Sequence, residues 1–373
     1  MIYFDHAATS FPKPLCVLDA VNDCIRNCGG NPGRGGHRLS LCASETVYNA
    51  RQELADLLFV KAEQIVFAQN ATMALNLAIR TRARKGSRIL ISDQEHNATL
   101  RVIYALKDSG LITYDIFPSL GCEENLIERF VYPDTDILVC NLTSNVTGNT
   151  VSLCDLLSVA RRHGIYLIID ASQWLGHHPI PREIGEADAI CAPGHKGLYG
   201  IQGSGFVYLK NAEILPPFIY GGSGVESDKR EMPHRAPERF EAGTLSTPAI
   251  ASLGAGVRYI RELGLSEIEA HERGLLLRCR EMLSSLREIK VYGNEDYSWS
   301  LLSFSHPRYP SEYLADELDK YGICTRGGFH CAPLAHASQI GLSSGALRVS
   351  FGITNTAREL DEFYTAIKRI INE

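Results

Sequence analysis

Between about residues 60 and 210, short apolar runs alternate with stretches patterned for amphipathic helices. The clearest runs are QIVFA, RILIS, DILVCN, YLIID, ADAICA and GFVYL. Runs this short and this apolar suit strands buried on both faces. Between two of them, SLCDLLSVARRHG sets Leu153, Leu156, Leu157 and Ala160 at helical spacing, with Gly164 placed to end the helix. Strands separated by such helices predict an α/β fold with a mostly parallel sheet covered on both sides. From about residue 257 the pattern changes. A long helical stretch (SEIEAHERGLLLRCREMLSSLREI) precedes the strand candidates LLSFSH and ALRVSFG and a last helix, ARELDEFYTAIKRIIN. We therefore expect a large domain over residues 15–256 and a smaller α+β domain made of residues 1–14 plus 257–373. The Gly-, Pro- and charge-rich segment from Tyr220 to Thr244 is patterned as an active-site or interface loop.

Composition narrows the class. A net charge of −6 over 373 residues, with no basic run, argues against nucleic acid as a partner. MIYFDHAATS lacks a basic segment followed by an apolar run, and no apolar stretch is long enough to span a bilayer, so the expected setting is the cytoplasm. The 11 cysteines are scattered, several of them in apolar runs, and are expected to be reduced, buried and inert. Cys24 and Cys28 lie four apart without a second ligand pair, so no metal site is expected.

Ligands of parallel sheets bind at the carboxyl ends of the strands. After QIVFA, the segment QNATMALN starts a helix near Ala71 or Thr72, which reads either as an ordinary capped helix or as a phosphate cradle. His96 follows RILIS, Asn145 follows DILVCN, and Asp170 closes YLIID with Gln173 three residues on. The segment ADAICAPGHKGLYGIQGSGFVYL then puts Lys196, framed by Gly194 and Gly197, in a turn at the sheet end, directly after His195. A Walker loop is excluded, because it needs Gly-Lys-Ser/Thr opening a helix. A lysine there suits a Schiff-base role. Lys196, Asp170 and the Thr72 helix start together offer the amine, carboxylate and anion cradle that a pyridoxal phosphate enzyme requires.

The series YFDHAATS, NPGRGGH, NATMALN, EHNA, SNVTG, DASQ, GHKGLYG, FEAGT and RGGFHCA spans almost the whole chain in order. It resembles fold-type I pyridoxal phosphate enzymes of the class V aminotransferase superfamily, and within them the group II cysteine desulfurases and selenocysteine lyases. The resemblance implies a large, mostly parallel seven-stranded sheet domain, a homodimer with shared active sites, and L-cysteine or L-selenocysteine as substrate. It implies Lys196 as the cofactor-linking lysine, His96 stacking on the ring, Asp170 at the ring nitrogen and Gln173 at the ring hydroxyl. Thr72 and His195 would hold the phosphate, reached also by Thr244 of the partner subunit. One departure stands out. The family usually has Ser or Thr three residues before the lysine, where this chain has Pro193, without a hydroxyl or an N–H.

Cys331 lies in a polar, glycine-rich turn near Arg326, His330 and His336, surroundings that favour a thiolate, and at the family's persulfide-forming position. Arg348, in an apolar strand, is costly to bury unpaired. It reads as a bidentate clamp on a substrate carboxylate, with an internal salt bridge as the alternative. Asn145, His37, Arg34 and Arg326 are further substrate candidates. The expected reaction is conversion of L-cysteine to L-alanine with a persulfide left on Cys331, possible protein acceptors taking the sulfur onward. A class V aminotransferase or carbon–sulfur lyase would keep Lys196 and Asp170 without needing Cys331. A non-catalytic sulfur carrier on a decayed scaffold is the remaining alternative, argued only from Pro193.

Overall fold

The computed structural model describes residues 1–33, 35–119, 124–341 and 345–372. The chain opens with β1 (Ile2–Tyr3), then α1 (Leu15–Asn27) and α2 (Arg38–Leu58). The central sheet follows as β2 (Ile65–Ala68), β3 (Ser87–Ser92), β4 (Ile112–Phe117), β5 (Thr135–Asn141), β6 (Tyr166–Asp170), β7 (Ala189–Pro193) and β8 (Gly205–Leu209). Helices α3 (Ala71–Arg82), α4 (Asn97–Asp108), α5 (Glu124–Glu128) and α6 (Leu153–His163) connect these strands. Beyond the linker come α7 (Thr247–Leu263), α8 (Leu265–Ser284), β9 (Lys290–Tyr292), β10 (Leu301–Ser305), α9 (Ser311–Lys320), β11 (Ile323–Cys324), α10 (Pro333–Ala335), β12 (Leu347–Ser350) and α11 (Ala357–Asn372).

The 7-stranded sheet runs β2-β8-β7-β6-β5-β3-β4. Strands β3 to β7 pair in parallel, whereas β8 is antiparallel to both β7 and β2. Reversing twice across β8 leaves β2 pointing the same way as β7. The carboxyl ends of β2, β3, β5, β6 and β7 therefore share one edge. Alternate residues of each strand feed separate cores. Leu138 and Cys140 of β5 join one, with Leu54, Leu253 and Val257, while Ile137 and Val139 join the other, with Leu75 and Ile103. A third core gathers Phe4, Leu276, Phe304, Val349 and Phe363 around β10 and β12. No helix among the described residues is long and apolar enough to cross a membrane.

Two glycines set the spacing at the sheet edge. A Cβ on Gly205 would come within 3.0 Å of the Ala192 carbonyl and 3.1 Å of the Asn70 backbone. Glycine there lets the start of α3 approach the end of β7. A Cβ on Gly197 would lie 2.3 Å from the Leu175 carbonyl, so only glycine lets the turn after Lys196 press on the loop after Asp170.

The cysteines depart from the expectation that all are reduced. Cys28, at the end of α1, is disulfide-bonded to Cys42 in α2, with Cα atoms 5.2 Å apart. The turn between these helices brings back residues whose spacing in sequence carries no such signal.

Candidate active site

A cavity of about 220 Å³ opens at the shared strand edge. Ala71, Thr72, His96, Asn145, Asp170, Gln173, His195, Lys196, Arg326, Cys331 and Arg348 all line it. His37 does not: it caps α2, its Nδ1 accepting from the Ser40 N–H at 3.3 Å, and its side chain is exposed. Thr244 is also exposed and away from the cavity of its own chain. Arg34 lies outside the described residues.

Lys196 sits in a turn held by its own backbone. The Gly194 N–H donates to the Ser204 carbonyl at 2.8 Å, the Gly200 N–H to the Gly194 carbonyl at 2.8 Å, and the Tyr199 N–H to the Lys196 carbonyl at 2.9 Å. Burial brings the Lys196 ammonium down to about 8. The negative charge of Asp170 opposes this shift, and Arg348 and Arg326 reinforce it. Asp170 is likewise buried, and burial raises its carboxyl pKa against the stabilising hydrogen bond from the Ser172 N–H, 2.9 Å away, and the charge of Lys196.

The preceding residue fixes the turn from outside. The His195 carbonyl accepts from the Ser10 N–H at 3.0 Å, Thr9 Oγ1 at 3.0 Å, Ser10 Oγ at 3.1 Å and Lys13 Nζ at 2.9 Å. The His195 ring is held from the same side, its Nδ1 in hydrogen-bond contact with Thr9 Oγ1 at 3.1 Å. Burial holds that ring near 4, hence neutral. Thr9, Ser10 and Lys13 were not singled out in the sequence. YFDHAATS was visible there as a motif, but nothing local linked it to the lysine turn.

His96 caps α4, Nδ1 accepting from the Ala98 N–H at 3.0 Å. Burial, followed by the charge of Lys196, lowers its pKa to about 4, which leaves a neutral ring with its proton on Nε2. The preceding residue, Glu95, is buried and accepts from Ser92 Oγ at 2.5 Å and the Asn141 N–H at 2.6 Å. Burial pushes this carboxyl up to about 8, and Asp170 adds to the shift. Glu95 is therefore mostly protonated at neutral pH and adds little negative charge beside Asp170.

The alternative for Arg348 is partly realised. Its Nη2 pairs with Asp5 Oδ1 at 2.8 Å and its Nη1 donates to the Asn145 carbonyl at 2.9 Å, while Nε is buried without a partner among the described residues. A guanidinium has five N–H bonds, so donors remain for a ligand carboxylate. Asn145 continues the chain: Nδ2 donates to the His330 carbonyl at 2.6 Å, and Oδ1 is buried without a partner among the described residues. Cys331 follows, exposed and carrying a free thiol. His330 and Cys331 both have left-handed backbones (φ 51° and 56°), and the Cys331 carbonyl accepts from the Asn97 N–H at 2.8 Å. That turn is pinned at both carbonyls.

These residues fit pyridoxal phosphate. Asn70, not Thr72, caps α3. Its Oδ1 takes the Met73 N–H at 2.9 Å and its carbonyl takes the Ala74 N–H at 3.2 Å. The Ala71 and Thr72 N–H groups and the Thr72 hydroxyl thus remain at the cavity for an anion. Pro193 ends β7 at the same wall and brings no donor there. A buried amine and a buried carboxylate complete the set.

A sheet of this order with a lysine turn at its edge defines the fold-type I architecture. The profile for Aminotransferase class-V matches residues 2–363, and the chain belongs to that family. It is 31% identical to the cysteine desulfurase of Escherichia coli strain K12 / DH10B, over 99% of this chain and 93% of the relative. Among solved structures, an apo cysteine desulfurase from Thermococcus onnurineus NA1 superposes with a TM-score of 0.91 at 28% identity, covering 100% of this chain and 94% of that one. The cysteine desulfurase CsdA from Escherichia coli gives 0.88 at 26%, covering 99% and 94%.

Proposed function

We propose that the protein is a pyridoxal phosphate-dependent cysteine desulfurase that converts L-cysteine to L-alanine and receives the sulfur on Cys331. One observation carries this reading: the Lys196 amine and the Cys331 thiol line the same cavity, with Arg348 in its wall. When bound, pyridoxal phosphate supplies an electron sink for charge developing at the substrate Cα. Lys196 would link it, Asp170 would face its ring nitrogen, Gln173 its hydroxyl and His96 its ring face. Ala71, Thr72 and His195 would hold the phosphate end, joined by Thr244 of a second subunit.

The remaining chemistry belongs to the side chains. The unused donors of Arg348 take the substrate carboxylate and orient Cα. Lys196, titrating near 8, can lose and regain a proton close to neutrality, which suits it to move the Cα proton. The Cys331 thiolate attacks the substrate sulfur. An S–S bond forms, the Cβ–S bond breaks with its electron pair retained on the carbon side, and protons complete alanine. The left-handed turn keeps that thiol at the cavity rather than in the core.

In this reading residues 15–256 bind the cofactor, and residues 1–14 with 257–373 close over it. The packing of Val257 and Ile260 in the large core supports a boundary nearer Gly264. The working unit would be a cytoplasmic homodimer. The test is turnover of L-cysteine by protein reconstituted with pyridoxal phosphate. Wild type should release alanine, and Lys196→Ala should lower the rate by at least about a thousandfold. Release of pyruvate without alanine would overturn the proposal.

A further inference from the structure

Cys331 lines two cavities. The second, of about 290 Å³, lies between α3 and α4 and shares Thr72, His96, Ala98 and Cys331 with the first. Its helical walls carry two stripes at i, i+4 and i+8, Thr72, Asn76 and Arg80 on α3 and Asn97, Arg101 and Ala105 on α4, with Val102 beside the second. Among the described residues no carboxylate lines it. Arg80 and Arg101 are both exposed, and neither has an ion pair or side-chain hydrogen bond among the described residues. Arg82, on the same helix, is by contrast tied to Asp136 at 2.5 Å. Two uncompensated guanidinium groups therefore flank a groove whose inner end is the Cys331 thiol. His96, neutral at that end, adds no competing charge.

We propose that this groove is the exit side of the site, and that it binds a small thiol acceptor carrying two carboxylates. The proposal rests on the desulfurase reading. Arg101 lies one helical turn along α4 from Asn97, and Arg80 two turns along α3 from Thr72, rises of roughly 6 and 12 Å. That spread suits carboxylates separated from the thiol by a peptide-sized frame. At about 290 Å³ the groove is at the small end of the range for small-molecule sites. The acceptor thiolate attacks the outer sulfur of the Cys331 persulfide. The new S–S bond forms on the acceptor, the old one breaks, and its electron pair stays on Cys331 Sγ as thiolate, ready for the next cysteine. The outer sulfur carries its proton with it, and no oxidant or reductant is consumed. The cations favour both the thiolate and its carboxylates.

The test uses holoenzyme given one equivalent of L-cysteine, so that alanine formation and sulfur release are read separately. Glutathione, a thiol dicarboxylate, is compared with its diethyl ester at equal thiolate concentration. Wild type should lose its persulfide about tenfold faster to glutathione than to the ester, and added salt should erase the difference. The Arg80→Gln/Arg101→Gln double variant should lose the advantage while its alanine burst is unchanged, and Arg80→Lys/Arg101→Lys should keep most of it. Equal rates for glutathione and ester in wild type, or an advantage that survives in the Gln variant, would overturn the proposal. So would slow, equal reaction of every small thiol, which points to a protein acceptor. Absence of the alanine burst in wild type would instead remove the underlying desulfurase reading.

Discussion

Glu95 is buried close enough to Asp170 to feel its charge and was not among the residues expected to matter. Its carboxyl sits at about 8 when folded and near 4.5 when free, with burial as the main cause. The unfolded chain therefore binds fewer protons than the folded one between those values, and stability falls as pH rises through that window. Glu95→Gln keeps the shape and removes the titration. It should raise Tm by several degrees at pH 8 and change it little at pH 5, as calorimetry on the apo protein can show. Equal shifts at both pH values would mean that Glu95 does not titrate there. Arg348 makes a second point at this scale. An apolar strand with one arginine announces that the charge must be met, but not by what. Asp5, some 340 residues earlier, could not be read as its partner. Arg348→Lys should raise KM for cysteine by at least about tenfold, because a lysine cannot span Asp5, the Asn145 carbonyl and a substrate carboxylate at once.

Among elements, the strands with continuous apolar runs could be read directly, because each is buried on both faces. β4 could not. At the sheet edge its pattern is ITYDIF, with only Ile112 and Phe117 buried, so polar side chains hide the strand. The strand-end residues that line the cavity were legible for the same reason as the strands. Those supplied from distant loops, such as Lys13 and Ser10 on the His195 carbonyl, were not. The FEAGT segment shows what the loop reading missed. Glu241 is buried, bidentate on Arg51 of α2 at 2.8 and 2.9 Å, and accepts from the Phe67 N–H of β2 at 2.7 Å. It ties the end of the linker to the sheet and so fixes where Thr244 emerges. Glu241→Ala leaves a buried guanidinium unpaired and should cost about 3–5 kcal/mol in urea unfolding. A loss under 1 kcal/mol would show that the loop is not anchored there.

For the whole molecule, Thr244 is exposed on its own chain, and the proposed homodimer would give it a role at the phosphate end of the second copy's cavity. His37, expected to contact substrate, caps a helix at the surface of its own chain and is open to the same explanation. Mixing Lys196→Ala with Thr244→Ala subunits should give heterodimers in which one site combines both defects and the other has neither. Activity should then recover above either homodimer, toward half of wild type. No recovery would argue for sites complete within one chain.

The central claim is that sulfur from cysteine lands on Cys331. Holoenzyme is mixed with one equivalent of L-cysteine without reductant, quenched, and weighed intact and as peptides. One added sulfur atom should appear on the peptide carrying Cys331, matched by one alanine, and Cys331→Ser should show neither. Alanine formed at wild-type rate by Cys331→Ser, or sulfur found first on another cysteine, would contradict the account.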